Sequence, residues 1–371
     1  MMKLKLDRML TVATYLLLLF VAVMSCSRYN LGEEEEPEPP EPEYDKLIWY
    51  VASYGDDLNE GRDVGDALAT VQETLSRILI FADEEPLGWP EHTEAEIVIL
   101  DDVSLSGEPA AATIAGGLPY PRIRLRGPSM EVEEMFGPGT LRPDDSEHYV
   151  LYVENNTEEV LLGDNLIITE GKGGVYVAEA KLTIESGATI TGNFAADGSG
   201  VYVGINGVVT MKDGGVISNN VASSLGGGVY VASQGTFKMD GGTIRENMAL
   251  FGGGVAVGAG GTMDSHFIMK GDASITGNEA DLAGGGVYVG AGKNVKFEKV
   301  DGGNIGENIA ETNHGIAVAL GSTDVNSPNQ IARFRDEPSR TINKLYAEYV
   351  FTGEPATTLW FFNGTDVNWN N

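Results

Sequence analysis

The sequence predicts an all-β chain: a right-handed parallel β-helix with three short strands per turn, opened by an N-terminal amphipathic capping helix. Two recurring phrases carry this prediction. Gly-Gly-Val-Tyr-Val at Gly173–Val177 returns at Gly200–Val203, Gly226–Val231, Gly252–Val257 and Gly284–Val289, with a decayed copy at Gly315–Val318. A second phrase answers it in each period: Ile190-Thr-Gly-Asn193, Ile217-Ser-Asn-Asn220, Ile244-Arg-Glu-Asn247, Ile275-Thr-Gly-Asn278 and Ile305-Gly-Glu-Asn308. The answering isoleucines are 27, 27, 31 and 30 residues apart, a spacing that marks a stacked array.

The strands follow from residue type. Val175-Tyr-Val177 alternates apolar, aromatic and apolar, and valine and tyrosine suit a pleated surface. Another strand lies between the two phrases: Leu182–Ile184, Val209–Met211, Phe237–Met239 and Phe267–Met269, followed by corner residues such as Ser186-Gly187, Asp213-Gly-Gly215 and Asp240-Gly-Gly242. One such turn cannot bury its own apolar face. Stacked about 4.8 Å apart, the turns pair strand on strand and set equivalent side chains in ladders. Val177, Val203, Val231, Val257, Val289 and Val318 form one expected interior wall, and the five isoleucines another. The asparagines 193, 220, 247, 278 and 308 form an expected structural ladder that bonds corner backbone and its own neighbours.

This region, residues 173–320, resembles the pectin-lyase-like parallel β-helix superfamily. Its two phrases are also similar to the Gly-Gly-Ala-Ile and Phe-x-x-Asn repeats of polymorphic outer-membrane proteins. Enzymes of the first group use clustered aspartates on one outer face, with Ca²⁺ and an Arg or Lys base in the lyases. The resemblance therefore points to Asp213, Asp240, Asp272 and Asp301, one per corner. Asp-Gly is also what a tight corner demands, and no separate basic residue accompanies them in sequence.

The chain in order begins with an export pattern. Lys3, Lys5 and Arg8 precede the apolar run Met9–Met24, shorter than the ~20 residues a spanning helix needs. The run ends at Val23-Met-Ser-Cys26, which resembles a bacterial lipoprotein signal: residues 1–25 removed and Cys26 lipidated. Cys26 is the sole cysteine, so intrachain disulfides and cysteine metal clusters are excluded. Residues 26–44 read as an acidic stalk, because 33–43 contain only glutamate and proline and cannot pack. The expected home is the cell envelope, as a surface-exposed outer-membrane lipoprotein held to the bilayer through acylated Cys26.

Residues 45–90 read as the cap of the solenoid: a strand at Leu47–Ala52, a polar turn at Gly55–Gly61, then Val64, Leu68, Val71, Leu75, Ile78 and Leu79 at helical spacing. Such a helix covers open strand edges, and Glu73 with Arg77 forms an i,i+4 pair. Asp56, Asp57 and Asn59 are a weak calcium candidate; turns use the same residues. Residues 91–325 are the expected β-helix, with irregular early turns built on Ala95–Leu100, Arg122–Leu125, Tyr149–Val153 and Leu166–Ile168. Residues 326–371 are expected to supply closing strands.

Tyr176, Tyr202, Tyr230 and Tyr288 should point outward in phase, with Ala256 breaking the row and Ala317 ending it. Such a row suits sugar rings or an apolar patch on a host or neighbour-cell protein, and it also favours strand pairing. The net charge of −31 argues against nucleic acid and against direct binding to anionic lipid. It also disfavours anionic polysaccharides unless calcium bridges them. The four histidines show no ligand spacing, and the Gly-Gly-Gly runs precede strands rather than helices, so no phosphate loop is present. The sequence reading is a non-enzymatic binding, adhesion or envelope-structural module without a required cofactor. The alternative is a polysaccharide lyase or glycoside hydrolase acting through carboxylates in the loops of the early turns; no catalytic residue is singled out.

Overall fold

The computed structural model describes residues 45–84, 93–105, 112–115, 122–129, 137–143, 148–155, 159–258, 264–290, 295–310, 318–321, 331–334 and 359–362. Cys26, the export pattern and the acidic stalk lie outside the described residues. Those described belong to one compact unit, a solenoid of parallel strands in which each turn pairs with the next.

A regular turn runs through four strands: Val175–Ala178, Lys181–Ile184, Thr189–Thr191 and Phe194–Asp197. The next repeats them at Val201–Val203, Val208–Met211, Val216–Ser218 and Val221–Leu225, each parallel to its counterpart. The repeat announces three of these strands. The fourth, directly after each ladder asparagine, is an addition. Its inward residues are the small Ala195, Ala222, Ala249, Ala280 and Ala310, too plain a pattern to signal a strand.

The strands form sheets of sixteen, nine and five. The Lys181-type and Thr189-type strands share the sixteen-stranded sheet because Ser265–Thr276 and Val295–Gly306 run unbroken through the corner between them. The Asp-Gly-Gly corner of earlier turns is replaced at Lys270-Gly-Asp-Ala273, and the register shifts there around Gly271.

The interior is a set of ladders. Val175, Val177, Val201, Val203, Val229, Val231, Val255, Val257, Val287 and Val289 are fully buried on one wall. Ile190, Ile217, Ile244 and Ile275 are fully buried on another, with Ile305 half-buried at its end. Each is worth about 1.5–3 kcal/mol before entropy is counted. Phe237, Phe267 and Phe297 stack with ring centroids 5.1 and 4.9 Å apart. The last copy of the first phrase differs from its sequence alignment by two residues. Val318 lies opposite Val287, Ala319 opposite Tyr288 and Leu320 opposite Val289. Strand pairing, not the decayed Gly315–Val318 phrase, sets this register.

Close packing explains the glycines. A Cβ on Gly228 would sit 2.6 Å from the Gly254 carbonyl oxygen, 2.8 Å from Ile244 Cγ2 and 3.1 Å from Asn247 Nδ2. The glycine before each Val-Tyr-Val strand thus lets the isoleucine and asparagine ladders reach the backbone.

The first strand, Asp45–Val51, pairs with Thr93–Ile99. The helix spans Val71–Glu84 and sets Val71, Leu75 and Ile78 into the same core as Trp49 and Val51. It is shorter than the apolar spacing suggests. Val64 opens a 3-10 turn and Leu68 bridges to Val51. The reason is Asp57, whose carboxylate accepts the N–H groups of Ala69 and Thr70, each at 2.9 Å. Thr70 Oγ1 then accepts the Glu73 N–H at 3.1 Å and caps the helix. At the far end, Ile331–Phe334 joins Val295–Gly306 in parallel and Leu359–Phe362 joins Val318–Gly321 antiparallel.

Candidate binding face

The nine-stranded sheet aligns the tyrosines. Its strands alternate, so valines point in and the central residue points out. Register places Tyr152, Tyr176, Tyr202, Tyr230, Ala256 and Tyr288 in one row. Tyr176 and Tyr202 stack at 5.2 Å with a 19° angle between planes. Tyr152 lies 5.6 Å from Tyr176, and Tyr230 meets Tyr202 edge-on at 5.3 Å. Such pairs add about 0.5–1.5 kcal/mol beyond their burial.

Tyr149 completes the cluster from outside the row. Its ring lies 5.7 Å from both Tyr152 and Tyr176, and its hydroxyl donates to the Asp197 carbonyl at 3.0 Å. Gly173 makes room: a Cβ there would fall 2.1 Å from the Tyr149 ring. Burial, then the neighbouring Tyr202, pushes the Tyr149 hydroxyl far above the usual tyrosine range. Burial together with Tyr230 and Tyr176 pushes Tyr202 up to about 12. Tyr149 and Tyr202 therefore stay protonated at ordinary pH.

The row is not uniform. Tyr152, Tyr176, Tyr202 and Tyr288 are half-buried, whereas Tyr230 is 7% exposed and packs with Ala232 and Ala256. Phe251 covers the far side of the gap, 4.9 Å from Tyr288. The accessible aromatic surface thus runs over Tyr152, Tyr176 and Tyr202, about 10 Å along the axis. Sequence reasoning placed the row but left out Tyr149 and Tyr152. The match of Leu151-Tyr-Val153 to Val175-Tyr-Val177 is the signal that finds Tyr152.

The first strands of the sixteen-stranded sheet carry a cluster of cations and carboxylates on their outer face. Lys46, Glu94 and Arg122 sit side by side on adjacent strands, as do Glu96 and Arg124. The Glu94 and Glu96 side chains are only 2% exposed. Arg124 Nε lies 2.7 Å from Glu94, Arg126 Nη2 2.5 Å and Lys46 Nζ 3.1 Å from Glu96. Arg124 also pairs with Glu185, and Arg122 reaches Glu159 at 3.3 Å. Burial works against the Arg124 charge, but Glu94 and Glu185 outweigh it and raise its pKa. For Glu96, burial pushes the carboxyl up, while Arg126 and Lys46 outweigh it and bring it down. Sequence reasoning missed this cluster. Thr93-Glu-Ala-Glu-Ile97 followed by Arg122-Ile-Arg-Leu-Arg126 is the complementary signal.

Of the carboxylate candidates, Asp56, Asp57, Asp213 and Asp240 are engaged in turns and pairs. Asp56 accepts the Leu58 N–H at 2.9 Å, and Asn59 Nδ2 donates to the Ala67 carbonyl at 2.9 Å. With Asp57 at the helix entrance, these side chains serve the backbone. Asp213 accepts the Gly214 N–H at 2.9 Å, Asp240 lies 3.6 Å from Lys270, and Asp272 is exposed. The Asp301 side chain lies outside the described residues. Among the described residues no group of three His, Cys, Asp or Glu side chains is placed to hold a metal ion, and no helix is long and apolar enough to cross a membrane. Comparisons with family models, curated proteins and solved structures give no match.

Proposed function

We propose that this chain is a non-enzymatic binding module displayed on a bacterial cell surface, with the tyrosine row as its contact face. The observation that supports this most is the register-locked run Tyr152, Tyr176 and Tyr202, half-buried on a paired sheet. Rigid aromatic rings offer large contact area with little side-chain entropy to lose. Their hydroxyls and faces suit the alternating polar and apolar surface of a neutral glycan. In this reading the sequence features of residues 1–44 supply the rest: export, acylation at Cys26 and an acidic spacer above the outer membrane. Multiple acyl chains would anchor stably, since one chain binds only marginally.

The test uses the full chain on a panel of immobilised neutral and acidic polysaccharides, with and without Ca²⁺, recording retention and cleavage together. Retention by a neutral glycan that falls about tenfold in Tyr202→Ala supports the face. Retention unchanged by Tyr176→Ala and Tyr202→Ala removes it. New reducing ends or unsaturated products point instead to a lyase or hydrolase, with the carboxylates of the early turns first to be substituted. Labelled fatty acid incorporated by the wild type and lost in Cys26→Ser tests the anchor.

A further inference from the structure

The five-stranded sheet presents a second surface of different character. Among the described residues nine large apolar side chains are exposed, and five of them lie on this one narrow sheet: Phe194 at 60%, Val221 at 36%, Met248 at 41%, Leu282 at 38% and Ile309 at 54%. Register sets Phe194 beside Val221, Val221 beside Met248, Met248 beside Glu279 and Glu279 beside Ile309. The stripe crosses all five strands, about 19 Å along the axis.

The core does not require these residues. In each strand the following alanine points inward and is buried, so the stripe position faces out by alternation. On the neighbouring face the equivalent rows read Thr189, Val216, Thr243, Ser274 and Thr191, Ser218, Arg245, Thr276, polar at every position but Val216. Apolar residues at four of the five row positions, with Leu282 on the strand where Glu279 holds the other, mark an interaction surface where polar residues would serve equally well.

Charge selects the partner. The five strands contain no lysine or arginine. Glu279 and Asp281 lie on the sheet and Glu307 at its corner, and none of the three makes an ion pair among the described residues. Arg245, at the same corner, is paired with Glu246. A second copy of this chain would bring like charges together on a molecule of net charge −31.

We propose that this sheet docks a cationic amphipathic segment of a partner protein, its apolar side on the Phe194–Ile309 stripe and its lysines or arginines over Glu279, Asp281 and Glu307. A helix of about 13 residues matches the length of the stripe. This surface is separate from the tyrosine row, and the proposal stands whether or not that row binds a glycan.

The test measures fluorescence anisotropy of three synthetic 14-residue peptides against the full chain. One has a leucine stripe flanked by lysines, one replaces the lysines with glutamates, and one scrambles the lysine peptide. The amphipathic lysine peptide is expected to bind, and Phe194→Ser and Met248→Ser, made separately, to weaken it about tenfold each with unchanged melting temperature. Tyr202→Ala is expected to leave it unchanged. Equal binding of the scrambled peptide, or binding indifferent to both serine substitutions, overturns the proposal in favour of a net-charge effect. Self-association of the full chain abolished by Phe194→Ser in sedimentation overturns it in favour of a second copy.

Discussion

Asn220 and Asn247 are joined twice: Oδ1 of Asn247 accepts both the backbone N–H and the side-chain Nδ2–H of Asn220, each at 3.0 Å. Asn247 makes the same pair of bonds to Asn278, and Asn278 to Asn308. Asn247 Nδ2 also donates to the Ile217 carbonyl at 3.0 Å. Every member is buried, so each side chain ties together consecutive turns.

Asn247→Ala is therefore expected to cost about 3 kcal/mol. It removes the acceptor for two buried donors and leaves the Ile217 carbonyl without that bond, and each buried unmet group costs about 1–3 kcal/mol. Asn193→Ala, at the start of the ladder, is expected to cost less, because its Oδ1 accepts the single N–H of Gly171. Urea unfolding of the two variants beside wild type checks the order.

This ladder was fully legible in the sequence, because one residue type recurs at one corner and the geometry of stacking fixes what it does. The valine and isoleucine walls were legible for the same reason. The fourth strand was not, since its outward position varies through Phe194, Val221, Met248, Glu279 and Ile309 and its inward one is only alanine. The helix start was hidden too: Val64 and Leu68 keep helical spacing, but Asp57, from an earlier turn, takes up the N–H groups of Ala69 and Thr70 just before the helix begins. The tyrosine row could be read except where its first member sits in an irregular turn. The buried Glu94 and Glu96 were masked by neighbours, as Ala95, Ile97 and Ile99 make the strand look simply apolar.

The ion cluster around Glu94 yields a second prediction. Arg124→Leu leaves a carboxylate whose side chain is 2% exposed with only the more distant Arg122, at 3.8 Å, and Lys46, at 3.9 Å. Breaking a buried pair from one side costs about 3–5 kcal/mol. The Arg142–Asp102 pair, with side chains 38% and 56% exposed, is expected to contribute at most about 1 kcal/mol. Adding Glu94→Gln to Arg124→Leu should recover part of the loss. Denaturation of the single and double variants at low and high salt measures this, with the buried pair insensitive to salt.

His266 gives the acid side of the pH dependence. Its Nε2 lies 3.5 Å from Glu298. Burial lowers its pKa; Glu298 opposes the shift, and Lys296 and Lys238 add to it. An unfolded histidine binds its proton near pH 6.5, so below that pH the unfolded chain takes up more protons than the folded one. The contribution of His266 is therefore complete above pH 6.5 and lost as pH falls through the weakly acidic range. Lys296→Gln is expected to raise the His266 pKa, and His266→Gln to flatten the stability profile between pH 7.5 and 5. The imidazole NMR shift gives the first result and urea unfolding at each pH the second.

Tyr202 gives the alkaline side. Burial first, then Tyr230, Tyr176 and Asp197, raise its pKa from 10.0 to about 12. Between these values the folded chain holds a proton that the unfolded chain has released, so stability falls as pH rises through that window. Tyr149, Tyr176 and Tyr288 are raised as well, with burial the largest cause in each, and they add to the same loss. The tyrosinate absorbance that Tyr149, Tyr176, Tyr202 and Tyr288 contribute, read as the difference between wild type and each Phe variant, should therefore appear late and together with unfolding rather than near pH 10. Tyr202→Phe removes the ionisable group while keeping the ring stacked on Tyr176, and is expected to move the alkaline unfolding midpoint upward. A midpoint unchanged in Tyr202→Phe would mean that other groups, not the stacked row, set the alkaline limit.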